Sequence, residues 1–141
     1  MPTITEKDRK TIQEWFQKLR DPVRLVVFTQ EYECEFCEET RQIAEELAAL
    51  SDRVAVEVHD FVADADVAQQ YGVDKIPAIA IVGARDYGVL SYGFPGGYEF
   101  TSLIEDMIDV STGEHGLSEA TMQQLARLDQ PAHIQVFITP T

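Results

Sequence analysis

Both cysteines of the chain lie close together in the segment EYECEFCEET, which spans Glu31 to Thr40. The spacing C-x-x-C of Cys34 and Cys37 occurs in redox-active pairs, in half of a zinc site and in short structural disulfides. A structural zinc ion needs four ligands, and the histidines of this chain are scattered singly at His59, His115 and His133. A permanent disulfide across so short a loop stabilises a fold little. The sequence therefore favours a redox pair with no metal and no cofactor, while an inert disulfide and a zinc site completed between chains stay open.

The segments on either side of the cysteines predict how they are held. The apolar run Val23–Thr29 is typical of a strand buried on both faces. After Cys37, apolar residues recur at helical spacing, namely Ile43, Ala44, Leu47 and Ala48. Cys34 then falls where a strand meets a helix, and the unpaired N–H groups and positive end of a helix stabilise a thiolate. A Cys34 thiolate can attack a substrate disulfide, and Cys37 can resolve the mixed disulfide.

The glutamates around the pair act against that thiolate. Glu33 and Glu35 flank Cys34 directly, and further carboxylates follow at Glu31, Glu38 and Glu39. Each disfavours a new negative charge on the sulfur, by an amount similar to the stabilisation from a helix N-terminus. We expect a Cys34 pKa below the free value of about 8.5, yet above that of the strongest oxidants. The same charges favour basic protein partners.

The remaining elements predict an α/β fold with a mixed central sheet and helices on both of its faces. A helix precedes the first strand, and further strands are expected at Val54–Phe61, Ile76–Val82 and Gly88–Gly93. The last two are joined by a short connection, which predicts an antiparallel hairpin, and a long helix follows that ends at Gly113. In this order Pro77 opens the strand next to the cysteines. It is either an ordinary first residue of a strand or a cis-proline that leaves the Ile76 backbone to bind an extended substrate.

Composition limits the classes of function. The chain has 141 residues, 45% of them hydrophobic, which is enough for one domain with a core. No signal peptide or membrane-spanning run is visible, so we expect a soluble, cytoplasmic protein. The formal net charge of −14 makes nucleic acid and anionic membranes improbable partners.

The end of the chain repeats its beginning. The segment Phe16–Phe28 aligns without gaps on Leu125–Phe137, and the alignment matches Pro22 with Pro131 and Phe28 with Phe137. The repeat predicts that a second helix–proline–strand unit starts near residue 115, and the position equivalent to Cys34 falls just past the last residue. We expect a first unit at residues 1–114 and the opening helix and strand of a second unit at residues 115–141. An unpaired apolar strand seeks a sheet edge, so this strand can fold back on its own sheet, pair with another chain or stay disordered. We favour pairing in a homodimer, because two identical units can bury both strands symmetrically.

These motifs resemble the thioredoxin superfamily and, within it, the protein disulfide oxidoreductases, also called glutaredoxin-like proteins, which consist of two fused thioredoxin units. The resemblance is carried by FTQEYECEFC, YGVDKIPAIAI, YGFPGGYEF and LDQPAHIQVFITPT, and it covers nearly the whole chain. It implies the thioredoxin fold, with Cys34 as nucleophile, Cys37 as resolving thiol and Ile76-Pro77 as the cis-proline site. It also implies dithiol–disulfide exchange with protein substrates and recycling by a thioredoxin-reductase-type partner.

The sequence departs from the family pattern in one place that concerns proton transfer. Single-unit thioredoxins carry a buried aspartate on the strand before the active site, and this chain has Phe28 there. Two other functions stay open. One is a docking module whose cysteines are incidental, and the other is an electron-relay domain that serves one peroxidase partner.

Overall fold

A computed structural model describes residues 3–139 of the chain. Within this range helices and strands alternate in the order expected from the sequence. The elements are α1 (Glu6–Phe16), β1 (Val23–Thr29), α2 (Cys37–Ala48), β2 (Val54–Asp60), α3 (Ala65–Tyr71), β3 (Ala78–Val82), β4 (Val89–Tyr92), α4 (Tyr98–Thr112) and α5 (Glu119–Leu125).

The four strands form one mixed sheet in the order β2-β1-β3-β4. β1 runs parallel to β2 and antiparallel to β3, and β3 and β4 form the expected antiparallel hairpin. The register sets Thr29 beside Asp60 and Phe28 beside Ala78. The end of β1, the end of β2 and the start of β3 therefore share one edge of the sheet, where the loop with the cysteines begins.

Helices cover both faces of this sheet, as expected from the nearly uninterrupted apolar run in β1. Leu25 and Val27 face the core that includes side chains of α1, α2 and α4, whereas Val26 and Phe28 face the core beneath α3. All four of these side chains are completely buried. Burial of large apolar side chains on both faces is the main source of stability for such a sheet. The predicted α/β class is confirmed.

Local signals at the helix ends also agree with the sequence. The Thr5 hydroxyl accepts a hydrogen bond of 3.2 Å from the backbone N–H of Asp8 and so caps α1. Gly72 and Gly113 end α3 and α4 with φ angles of 73° and 72°, a backbone region that favours glycine. None of the helices within residues 3–139 has both the length and the hydropathy needed to cross a membrane.

The C-terminal part of the described chain behaves differently from the rest. Helix α5 has no buried residue, and residues 131–139 form neither helix nor strand. Ile134, Val136 and Phe137 are 85%, 80% and 87% exposed. The strand expected here is not formed, and among residues 3–139 no strand lies beside this segment to pair with it. Its last two residues, 140 and 141, lie outside the described residues, and the division at residue 115 stays a prediction.

Candidate active site

The two cysteines form a disulfide in the loop between β1 and α2. Cys34 and Cys37 are bonded, with their Cα atoms 5.7 Å apart. Helix α2 begins at Cys37, and its N-cap is Phe36. The expectation that Cys34 itself stands at the start of the helix is therefore wrong by three residues.

The backbone of the loop explains this shift. Glu33 and Phe36 have φ angles of 55° and 69°, in the left-handed region that residues other than glycine adopt uncommonly. A left-handed residue cannot continue a right-handed helix, so α2 starts after Phe36. The Phe36 side chain caps no N–H group, while its carbonyl accepts a hydrogen bond of 3.0 Å from the Thr40 N–H. The positive end of α2 thus faces the disulfide, as the sequence argument requires.

The two sulfur atoms differ in their access to solvent. Cys37 is only 4% exposed, whereas Cys34 is partly exposed. An incoming thiolate or disulfide can therefore reach Cys34 first. Cys37 belongs to the buried face of α2. This asymmetry suits a pair in which one sulfur attacks and the other resolves.

A cleft of about 390 Å³ opens beside the disulfide. It is lined by residues from the end of β1, the loop, α2 and the end of β2, namely Thr29, Gln30, Glu31, Cys34, Cys37, Glu38, Arg41 and Asp60. Three of the eight carry carboxylates and one carries a guanidinium group. The cleft is polar and negatively charged overall, which suits basic groups better than acidic ones.

The charges in the cleft are partly paired. Arg41 donates a hydrogen bond of 2.8 Å to Glu45. The pKa of Arg41 lies above its ordinary value because Glu45 accepts this bond and adds negative charge, with a smaller contribution from Glu38. The Asp60 carboxylate accepts bonds of 2.9 and 2.8 Å from the N–H groups of Val62 and Ala63. Arg41 is the one cationic residue of α2, and its charge is shared between Glu45 and Glu38.

Sequence reasoning placed Glu33 and Glu35 as the carboxylates that modulate Cys34. Both are exposed and adjacent to Cys34 in the chain, but the cleft is lined by Glu31 and Glu38 instead. Arg41 and Asp60 were missed as cleft residues, because they come from α2 and from β2. The pairing of parallel strands could have indicated Asp60, since Thr29 and Asp60 end their strands side by side.

Ile76 and Pro77 lie at the same edge of the sheet. Their peptide bond is cis, and the Pro77 carbonyl accepts a hydrogen bond of 2.9 Å from the Gly93 N–H. Because Ala78 pairs with Phe28, the preceding two residues stand level with the end of β1, where the loop to Cys34 begins. They do not line the cleft. The register brings them to the disulfide edge, and their role in binding stays a prediction.

The residue in place of the family aspartate is packed as a core residue. Phe28 is fully buried, with its ring centroid 5.7 Å from that of His59 and 6.1 Å from that of Tyr71. It lies on the face of the sheet beneath α3, whereas Thr29 lines the cleft. Phe28 cannot accept a proton, and its ring takes no part in lining the cleft.

An aromatic surface stands next to the disulfide. Phe36, between the two cysteines, is 49% exposed and stacks on Phe94 with ring centroids 6.2 Å apart. Tyr32, two residues before Cys34 in the chain, is 73% exposed. Rigid aromatic side chains of this kind are enriched in protein interfaces.

Several solved structures superpose on this chain. A protein disulfide oxidoreductase from Aeropyrum pernix superposes with a TM-score of 0.79 at 26% identity, over 88% of this chain and 55% of that one. The N-terminal domain of the alkylhydroperoxide reductase AhpF from Enterococcus faecalis superposes with a TM-score of 0.77 at 22% identity, over 86% of this chain and 59% of that one. A mutant thioredoxin from Halobacterium salinarum gives 0.51 at 19% identity, over 77% of this chain and 87% of that one.

The chain has the thioredoxin fold. The resemblance seen in the sequence is confirmed, because a protein disulfide oxidoreductase is among the solved structures it matches. No family model and no curated protein sequence matches the chain. It spans little more than half the length of the first two structures. A C-x-x-C disulfide in a thioredoxin fold supports thiol–disulfide redox activity.

Proposed function

We propose that this thioredoxin-fold chain is a dithiol–disulfide oxidoreductase that exchanges disulfides with protein substrates. The observation that carries the proposal is the disulfide between a partly exposed Cys34 and a buried Cys37, beside an open cleft at the positive end of α2. A reactive cysteine requires a thiolate-stabilising and accessible setting, and this loop provides both for Cys34.

The reaction proceeds in two exchange steps. In the reduced protein, the Cys34 thiolate attacks one sulfur of a substrate disulfide, forms a mixed disulfide and releases the other substrate sulfur as a thiolate. Cys37 loses its proton to a cleft carboxylate or water and attacks the Cys34 sulfur. The Cys34–Cys37 disulfide forms, the second substrate thiolate leaves, and two electrons have passed to the substrate. A thioredoxin-reductase-type dithiol partner returns the pair to the reduced form.

Binding of the substrate is assigned to the edge of the sheet next to the disulfide. We expect the backbone of Ile76, which precedes Pro77 at this end of the sheet, to pair with an extended substrate segment. The stacked Phe36 and Phe94 rings offer apolar contact area. The carboxylates around Cys34 and the net charge of −14 favour basic substrates. The reducing cytoplasm is the compartment in which we place this activity.

Reduction of insulin by dithiothreitol tests the enzyme. The wild-type chain should accelerate precipitation of the insulin B chain, and Cys34→Ser should return the rate to that of dithiothreitol alone. Cys37→Ser should instead accumulate a mixed disulfide that mass spectrometry detects, because the resolving thiol is missing. Thr11→Ser on α1 is the matched control and should keep the wild-type rate. Equal rates for Cys34→Ser and the control would overturn the proposal.

Two other functions are separated by the same assay. A docking module with incidental cysteines would accelerate insulin reduction no more than Cys34→Ser does. An electron relay for one peroxidase would show slow exchange with insulin and fast exchange with that peroxidase. Rapid turnover of insulin and of several unrelated protein disulfides therefore supports the general oxidoreductase.

The C-terminal segment adds a proposal about assembly. Its apolar side chains at Ile134, Val136 and Phe137 are almost fully exposed, which is costly in water. We assign them to pairing with the same segment of a second copy, in a symmetric dimer. Light scattering should give the mass of a dimer, and deletion of residues 132–141 should give a folded monomer that still reduces insulin. A monomeric full-length chain would refute the dimer.

A further inference from the structure

Thr40 carries a buried hydroxyl that the fold leaves unused. The residue is 0% exposed, and its Oγ1 has no hydrogen-bond partner among residues 3–139. Buried hydroxyl groups nearly always have a partner, because burial removes the hydrogen bonds that water supplied. No other buried side-chain nitrogen or oxygen in the described part of the chain lacks one. The lack of a partner for the Thr40 hydroxyl therefore needs an explanation.

Its position on α2 relates it to the disulfide. The buried residues of this helix form one stripe that starts at the resolving cysteine and includes Cys37, Thr40, Ile43, Ala44 and Leu47. Thr40 follows Cys37 by three residues, and residues at this spacing are neighbours on a helix surface. Helical side chains lean towards the N-terminus, so the Thr40 side chain extends over the turn that carries Cys37.

The hydroxyl of a threonine within a helix can also donate a hydrogen bond to the backbone carbonyl four residues earlier. For Thr40 this is the Phe36 carbonyl, which already accepts the Thr40 backbone N–H at 3.0 Å. The hydroxyl makes no bond to it. Since threonine divides between two χ1 rotamers in a helix, a rotation about χ1 is the change that would bring Oγ1 towards the sulfur of Cys37.

The acceptor strength of that sulfur depends on its redox state. In the oxidised protein Cys37 is bonded to Cys34, and its sulfur is a weak acceptor that receives no bond from Thr40. When the S–S bond breaks, Cys37 carries a thiol or a thiolate, and a hydrogen bond to an ionised acceptor is about twice as strong as a neutral one.

We propose that the Thr40 hydroxyl donates a hydrogen bond to the Cys37 sulfur in the reduced protein and thereby stabilises the reduced form of the pair. In the reduction, a dithiol supplies two electrons and two protons, its own sulfurs become a disulfide, and the Cys34–Cys37 bond is replaced by two thiols. Thr40 keeps its own proton. It is a positioning residue that sets the equilibrium, and the proposal rests on the proposed function only in requiring that the disulfide be reducible.

The test is the redox equilibrium of the purified chain with reduced and oxidised dithiothreitol, read out by alkylating free thiols. Thr40→Val keeps the shape of the side chain and removes the hydroxyl. It should lower the equilibrium constant for reduction about three- to tenfold, and a tenfold change corresponds to a potential about 30 mV more negative. Thr40→Ser, which restores the hydroxyl, should recover most of the wild-type value, and Thr11→Val on α1 should not change it.

Thermal unfolding of both redox forms provides an independent check. Thr40→Val should leave the Tm of the oxidised chain unchanged or higher, since it removes an unpaired buried hydroxyl, and should lower the Tm of the reduced chain. An unchanged potential, or equal Tm shifts in both forms, would overturn the role of Thr40 while leaving the oxidoreductase intact. A wild-type disulfide that dithiothreitol cannot reduce would overturn both.

Discussion

The carboxylates next to Cys34 should make the pair less oxidising than its helix position alone would. Glu33 and Glu35 flank Cys34 and are exposed, so water screens their charges but does not abolish them. Across a separation of a few ångströms in water, each should raise the pKa of the Cys34 thiol by roughly half a unit at low salt. The double variant Glu33→Gln/Glu35→Gln should therefore lower that pKa by about one unit.

The reduction potential should follow with a definite sign. A carboxylate disfavours the thiolate, and the thiolate belongs to the reduced form, so removing two carboxylates should stabilise that form. One pKa unit is about 1.4 kcal/mol, which corresponds to a shift of up to about 30 mV towards less negative potentials for a two-electron couple, reached at a pH where Cys34 is ionised in both proteins. For the wild-type pair we expect an intermediate potential, between roughly −270 and −180 mV.

Ultraviolet absorbance of the thiolate during a pH titration measures the pKa, and equilibration with glutathione buffers measures the potential. The shift should be largest near 0.01 M salt, where the Debye length is about 30 Å, and should nearly vanish near 1 M. Glu6→Gln/Glu14→Gln on α1 removes the same charge elsewhere and should shift neither quantity. A Cys34 pKa that stays the same in the Glu33/Glu35 variant at low salt would refute the electrostatic argument.

The structure predicts a further comparison within the same experiment. Glu31 and Glu38 line the cleft beside both cysteines, whereas Glu33 and Glu35 do not. Neutralising the cleft-lining pair should therefore shift the Cys34 pKa at least as far, with the same sign. A smaller shift would show that adjacency in the chain matters more than the shape of the cleft.

Three further predictions concern stability. Glu46→Gln should cost about 1.5–3 kcal/mol in urea unfolding at neutral pH, since this nearly buried carboxylate accepts bonds from the backbone of Thr3 and Ile4. Burial raises the pKa of Glu46, but the hydrogen bonds lower it further, so its pKa lies below the ordinary value. The contribution of Glu46 to stability should therefore be lost as the pH falls below about 4.5. Equal losses in the variant at pH 7 and pH 3 would contradict this. Asp106→Asn should raise the Tm at neutral pH, because burial and then Asp109 and Glu105 raise the pKa of Asp106, and the gain should vanish below about pH 3.8, where both states are protonated. Phe28→Ala should cost about 3–5 kcal/mol, and a loss below 1 kcal/mol would show that its buried ring is not part of the core.

The sheet could be predicted from the sequence because its signals are local. The limits of β1 agree with the apolar run Val23–Thr29, and the antiparallel hairpin follows from the short connection between its strands. The start of α2 could not be predicted in the same way. Its limit depends on the left-handed backbone of Phe36, and nothing in that residue type favours such a conformation.

The residues that line the cleft could not be predicted from the sequence, for a different reason. Arg41 and Asp60 reach it from different elements, so their proximity to Cys34 depends on strand pairing and helix packing. The strand expected in residues 131–139 is the opposite case, in which the sequence pattern is present but the strand is not formed. Its alternating pattern is present, but alternation predicts a strand only where a neighbouring strand is available, and none lies beside this segment among the described residues.

The packing of the two cysteines supports the roles proposed for them. Cys37 starts a helix whose Ile43, Ala44 and Leu47 are fixed in the core, so its sulfur has little room to move when the disulfide opens. Cys34 stands in a loop with exposed neighbours, and its sulfur lies 3.7 Å from the carbonyl oxygen of the adjacent Glu35. We therefore expect reduction to leave Cys34 accessible to a substrate and Cys37 on the buried face of α2. The carboxylates around Cys34 and the proposed hydrogen bond from Thr40 to Cys37 then act on different sulfurs of the pair, so their effects on the potential should be separable.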